Sequence, residues 1–381
     1  MFESRWGHQP APMLPPTMSF SAPRFTSLPN QVAQSLREKI ANRVWNEWLP
    51  GERILAETLQ ISRKTIRKAL AQLRREGLIV SVHGLGNRIA VSKAGIRSQE
   101  AEAVVTLLTP DPIEHMRSYT SLWVSHLKSL LIENNFRLRT VDGRKFFSQR
   151  PAAMLKKLTS RQPAACWLLA NSTEAMQRWF SDQKLPCVVA GSCHPGIDLP
   201  QVDLDHYALC RHAAGVLLGA GHRCVALLNE RSGRAGDLES EAGFIAGVRE
   251  SPHANAIPLV MHHEHSSDSL CRALDRLLAM PQMPTALLVS NGTSYLTVIS
   301  ALAQRKLRVP QDVSIVSRDD EPFLHFLVPQ PAYYAANPHT FAKRLLKPLL
   351  QSLAGETVLP RNTRMLPTFA KGGSLGVRST R

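Results

Sequence analysis

Residues 61–70, ISRKTIRKAL, place Ser62 ahead of four cations, Arg63, Lys64, Arg67 and Lys68, with Thr65 between them. Cations crowded this closely capture anions. Ammonium and guanidinium groups pair with phosphate, and the arginine fork also matches the O6 and N7 acceptors of guanine. The same stretch carries Ile66, Ala69 and Leu70, followed by Leu73, at helical spacing. It therefore predicts a helix with one face for a core and the other for binding. Ser62 suits the N-cap, because its hydroxyl can accept from the free backbone N–H groups of the first turn. Taken alone, a basic helix face is more often solvated than functional, so the elements around it must decide.

Those elements agree with a binding role. Val32, Leu36, Ile40 and Val44 have the period of a first helix, and Leu55 and Leu59 that of a second. Only Gln60, Ile61 and Ser62 separate the second from the third, the tight turn that presents a recognition helix to the major groove. Glu76 and Gly77 stop the third helix, and alternating apolar residues then flank Gly84-Leu85-Gly86-Asn87, which predicts a β-hairpin. Three helices and a hairpin make a winged helix-turn-helix, whose wing would carry His83, Asn87 and Arg88 to the DNA backbone or minor groove.

The run LPGERILAETLQISRKTIRKALAQLRREGLIVSVHGLG resembles the GntR-type winged-helix family over about residues 28–92, without insertion between Leu49 and Gly86. The resemblance implies that Arg53, Arg63, Thr65 and Arg67 face DNA, and that Gly86 lets the wing tip approach it. Gly51 stands where the family usually has the serine that caps the second helix, a tolerated change.

The charge distribution points to the same segment. The chain has 381 residues and a formal charge of +16. Residues 31–93 hold 12 lysines and arginines against 5 acidic residues, whereas residues 94–381 hold 32 against 24. A polyanionic partner is therefore expected at the small basic module. The length calls for two or three folding units. No apolar run approaches the roughly 20 residues a membrane span needs. Residues 1–25, with no apolar core of a signal peptide, are expected to be a disordered leader, and the compartment the cytoplasm. The six cysteines are scattered without a C-x-x-C pair, so neither disulfide nor zinc site is indicated and no cofactor is expected.

Residues 93–103 are polar and are expected to link the winged-helix module (26–92) to a second one (104–376). There VVTLL (104–108), CWLLA (166–170), CVVA (187–190), CVALL (224–228), ALLVS (286–290) and VSIVS (313–317) alternate with helical segments. Strands apolar on both faces predict parallel sheets covered by helices, here divided between two lobes with a ligand cleft at the strand C-termini.

This part resembles the sensor of the lactose-repressor (LacI) family, which is periplasmic-binding-protein-like. The resemblance is carried by VDLDHYALCRHAAGVLLGAGHRCVALLNE, by EAGFIAGV, and by PTALLVSNGTSYLTVISALAQRKLRVPQDVSIVSRDDEPF. It implies three crossings between lobes, a small effector in the cleft, often a sugar, and a homodimer. Three departures fall at the cleft. The family's R-x-x-G-F arginine falls on Ser240, its N-D pair reads Asn291-Gly292, and SRDD replaces G-F-D-D, keeping Asp319 and Asp320 and adding Arg318. Without that fork and that carboxylate, a hexose is not assumed. Asp111, Ser240, Asn291 and Asp320 are the candidate effector residues; for each, loop capping is the plainer alternative.

Three weaker signals are set aside. MHHEH (261–265) is expected to be a surface loop and not a metal site, GSCH (191–194) a strand-exit loop and not a nucleophile, and GAG (219–221) a helix end. The expected function is a sequence-specific DNA-binding transcription regulator, a repressor in its simplest form, with a small-molecule sensor, a sugar among the candidates. The alternatives are a DNA-binding dimer with an insensitive sensor-like part, and an α/β enzyme with an accessory nucleic-acid module.

Overall fold

The computed structural model describes residues 28–41, 44–45, 48–82, 86–89, 104–253 and 255–378. The expected leader, 1–25, and linker, 93–103, lie outside the described residues. The chain divides into two units, Met1–Gln99 and Glu100–Arg381.

In the first unit, α1 (Leu28–Ala41), α2 (Glu52–Leu59) and α3 (Arg63–Arg75) precede β1 (Ile79–Val82) and β2 (Gly86–Ile89). Ile66, Ala69, Leu70 and Leu73 of α3 are fully buried against Val32, Ala33 and Leu36 of α1 and Leu55 and Ala56 of α2. Each large aliphatic side chain removed from water contributes about 1.5–3 kcal/mol, so this stripe anchors the helix. Val44 does not continue α1: the helix ends at Ala41 and Val44 is exposed.

The second unit holds two six-stranded sheets, each with helices on both faces. The N-terminal lobe is built from β3 (Val104–Thr109), α4 (Ser118–Glu133), β4 (Arg137–Asp142), α5 (Ala152–Arg161), β5 (Cys166–Ala170), α6 (Glu174–Asp182), β6 (Cys187–Ala190) and β7 (Gln201–Leu204). The chain then enters the C-terminal lobe through α7 (His206–Gly219), β8 (Cys224–Glu230), α8 (Ala235–Arg249), β9 (Ile257–His263), α9 (Ser267–Leu278), β10 (Ala286–Val289), α10 (Gly292–Gln304), β11 (Ser314–Ser317) and β12 (Ala332–Ala335). It returns through α11 (Pro338–Leu353) and β13 (Asn362–Met365) to the first lobe, and ends with β14 (Thr368–Ala370) in the second. That is three crossings.

The sheet orders are β13-β7-β6-β5-β3-β4 and β14-β12-β11-β10-β8-β9, parallel throughout except for β14. Successive residues of a central strand enter opposite cores: Ala286 and Leu288 one, Leu287 and Val289 the other. GAG (219–221) ends α7, and Gly221 is required there, since it sits at φ +91° and a Cβ would meet the Arg378 carbonyl oxygen at 2.1 Å. The expected MHHEH loop is different: Met261, His262 and His263 close β9, an edge strand, where His263 is buried and His262 Nε2 lies 2.7 Å from Glu241 Oε1.

Candidate nucleic-acid interface and interlobe cleft

Ser62 caps α3 as expected. Its Oγ accepts from Thr65 N at 3.2 Å and lies 2.9 Å from Thr65 Oγ1. Arg63, Lys64, Arg67 and Lys68 are exposed on the face opposite the buried stripe, and Arg53 is exposed on α2. Two of these cations are paired with carboxylates. Arg67 Nε lies 2.8 Å from Glu52 Oε2, and Arg53 Nε 3.8 Å from Glu57 Oε1.

The hairpin pairs Ile79 with Ile89 and Val82 with Gly86, which adopts φ +110°. His83 lies outside the described residues. Arg88 is exposed and bridges to Trp48 through the backbone. Asn87 departs from expectation: its side chain is buried, and its carbonyl accepts from Leu49 N at 2.9 Å. The pleat explains this, because Asn87 shares a face with core-facing Ile89 and Arg88 takes the other.

Between the two lobes lies a cleft of about 510 Å³ at the strand C-termini. The first lobe contributes Tyr119 and Trp123 from α4, Ser192 after β6, Asp203 of β7 and Phe341 of α11. The second contributes His206 at the start of α7, Arg234 and Asp237 at the start of α8, and Arg318, Asp319 and Asp320 after β11.

Of the four expected effector residues only Asp320 lines this cleft, 2.9 Å from His325 Nε2. Asp111 turns to Arg144 Nε at 2.7 Å. Asn291 caps α10, its Oδ1 accepting from Ser294 N at 2.8 Å. Ser240 is fully buried, with its hydroxyl donating to Gly236 O at 2.8 Å. Of the three, Asn291 has the capping task of the plainer alternative, Asp111 is in an ion pair and Ser240 lies inside α8. Ser192, in the GSCH segment, is a buried hydrogen-bonding group that touches Asp203 Oδ2 at 2.7 Å and Glu239 Oε2 at 2.9 Å.

Neighbouring side chains meet two of the positions where the sequence departs from the resembled pattern. Arg318 donates to Ser240 Oγ at 2.7 Å and to Ser290 O at 2.9 Å, and it pairs with Asp237 at 3.0 Å. A guanidinium from the residue after β11 thus reaches Ser240. Likewise Glu321 occupies the space beside Gly292, where an added Cβ would meet Glu321 Cγ at 2.7 Å. Burial alone would raise the Asp237 carboxyl, but Arg318 first, then Arg234 and the Ser232 hydroxyl, hold it well below the ordinary carboxylate range. Asp203 is also held low: burial opposes ionisation, and His206, Ser192 and Leu204 N outweigh it.

Side chains from both lobes meet at two further points. Arg117 Nη1 lies 2.5 Å from Asp319 Oδ2. Arg364 of β13 grips Glu239 of α8 through two bonds of 2.7 and 2.9 Å. Asp203, His206, Arg234 and Asp237 were not singled out from sequence. The available signal was spacing: Asp203 and His206, like Arg234 and Asp237, stand three apart across a helix start.

Residues 28–89 match the family model described as bacterial regulatory proteins, gntR family, and residues 214–375 that of a periplasmic binding protein-like domain. The HTH-type transcriptional regulator AglR of Rhizobium meliloti (strain 1021) is 30% identical over 138 residues, 36% of this chain and 38% of that protein. The arabinose metabolism transcriptional repressor of Geobacillus stearothermophilus is 24% identical over 295 residues, 73% of this chain and 77% of that protein. Across the first three curated relatives, the matches span 36–50% of the relative's length. A solved structure of a putative transcriptional regulator LacI from Bacillus cereus subsp. cytotoxis NVH 391-98 superposes with a TM-score of 0.64 at 19% identity, covering 73% of this chain and 99% of that one. At that identity the likeness is one of fold.

Proposed function

We propose that this chain, a GntR-type winged helix joined to a LacI-like, periplasmic-binding-protein-like sensor, is a sequence-specific DNA-binding transcription regulator and not an enzyme. One observation carries the proposal: α3 is anchored by a fully buried stripe and presents Arg63, Lys64, Arg67 and Lys68 on its exposed face. Such a helix can enter a major groove without unfolding anything. Arg63 and Arg67 would read base edges, with Thr65, Arg53 and the wing residues Gly86 and Arg88 at the backbone. Lys64 and Lys68 would neutralise phosphate, the part of the affinity that salt weakens. The protein would act where DNA is, in the cytoplasm.

The head is placed at 26–92, the linker at 93–103 and the sensor at 104–376, and the active species is a homodimer whose two heads take two half-sites. Repression is the favoured sign, in keeping with the names of several relatives. A small molecule in the cleft would change DNA affinity by the difference in its affinity for the two lobe arrangements, and by no more.

Selection of bound sites from random double-stranded DNA, with purified full chain and no added ligand, tests the reading. A recovered motif of two half-sites at fixed spacing is the expected result. Recovery of no motif would overturn it.

A further inference from the structure

The chemistry of the cleft narrows what it can hold, and this step rests on its reading as a sensor site. Every ionisable side chain named on its wall has a polar partner within the protein, with Arg318 and Arg234 sharing Asp237. Arg117 pairs with Asp319 at 2.5 Å, Arg318 and Arg234 with Asp237 at 3.0 and 3.2 Å, Asp320 with His325 at 2.9 Å, and Asp203 with His206 at 3.6 Å. A charged ligand would have to compete with these pairs, and in a partly dry site displacing one leaves a charge uncompensated. Polyhydroxylated ligands would have to share these groups, because the guanidinium and the carboxylates that could bind vicinal hydroxyls already have partners.

Most of the remaining wall is apolar and aromatic, and two polar atoms on it, Tyr119 Oη and His206 Nδ1, are buried without a hydrogen-bond partner. Tyr119 stands edge-on to Phe341 with ring centroids 5.7 Å apart, and Trp123 lies 5.5 Å from the same ring. This cluster backs one wall. Phe326, at the end of the short 3-10 helix Pro322–Phe326, also lines the cleft and is 86% exposed. An aromatic ring left almost wholly in water at the edge of a pocket gains by stacking on an occupant.

We propose that the cleft takes an uncharged, ring-bearing, largely apolar molecule of one or two rings, stacked under Phe326, in place of a sugar or an anion. A volume of about 510 Å³ fits a ligand of that size.

The test uses the full chain and three sets of probes. These are neutral fluoroaromatics (4-fluorophenol, 5-fluoroindole, 6-fluoroquinoline), neutral sugars (glucose, arabinose, cellobiose) and anions (glucose 6-phosphate, galacturonate). Binding is followed by fluorine NMR for the first set and by thermal shift for all three. The expected result is saturable binding confined to the aromatics and weakened about tenfold in Phe326→Ala, an exposed position whose truncation spares the core. Binding by sugars or anions alone, silence from all three sets, or aromatic binding indifferent to Phe326→Ala would each overturn the assignment. The DNA selection is run without ligand, so its outcome is independent of this one.

Discussion

Arg67 of α3 and Glu52 of α2 are joined by an ion pair of 2.8 Å across the exposed side of the first unit. The arginine side chain is 63% exposed, so the pair contributes little to folding, roughly 0–1 kcal/mol. Its consequence is orientation. Glu52 holds one edge of the guanidinium and leaves the remaining N–H groups to point outward from the helix.

Replacing Arg67 by alanine is expected to remove sequence preference while leaving weak, salt-sensitive binding. The loss amounts to roughly 1–3 kcal/mol of discrimination. Glu52→Gln should act differently: it removes a negative charge near the phosphates, so binding to unrelated DNA tightens while the ratio of specific to unrelated affinity falls. Competition titrations at two salt concentrations check both, and an unchanged ratio in either variant contradicts the orienting role.

Ser62→Ala removes the hydroxyl that accepts from Thr65 N and touches Thr65 Oγ1. A stability loss of about 1 kcal/mol is expected for a lost N-cap. Denaturant titration measures it, and a neutral result would mean that water satisfies the first turn equally well.

Asp237 and Arg318 form a buried pair, with side chains 8% and 6% exposed. Removing one partner leaves the other charge unpaired, so Asp237→Ala should cost about 3–5 kcal/mol. The pair also sets a pH dependence. The folded carboxyl is held below its ordinary value of 3.8, so the unfolded chain binds the proton first as pH falls. Stability from this group is complete above that value and is lost progressively below it. Urea titrations of wild type and Asp237→Ala at descending pH should converge, and curves that stay parallel into strong acid would contradict the assignment.

Arg117 and Asp319 link the two lobes at the cleft mouth. Asp319→Asn is expected to loosen the lobes, raising the radius of gyration and reducing its dependence on salt, with the lobe cores intact. Small-angle scattering at low and high ionic strength measures this. A mutant indistinguishable from wild type at low salt would show that the lobes are held elsewhere, with Arg364–Glu239 the first candidate.

Helix α3 was legible from residue types because its determinants are local. A cap, a three-residue turn and a 3.6-residue apolar period lie within 15 positions of one another. The six strands expected from sequence, β3, β5, β6, β8, β10 and β11, are the central ones of the two sheets. Buried on both faces, they read as short, mostly apolar runs, with small polar residues such as Thr106 and Ser314 among them. The strands not foreseen, β4, β7, β9, β12, β13 and β14, lie at or next to an edge, where one face is free to carry residues such as Arg137, Asp203 and Arg364.

The sequence by itself determined a basic helix with a buried stripe, a hairpin behind it, and two lobes of parallel sheet. The tertiary structure alone decided which charges meet in the cleft. Asp203, Asp237 and Arg318 are separated by tens of residues and converge only because three chain crossings bring the strand ends of both lobes together. Within each lobe, packing likewise places Asp111 against Arg144, Arg318 against Ser240 and Glu321 beside Gly292. A hydrogen bond depends on position in space to within a few tenths of an ångström, and separation along the chain carries no such information.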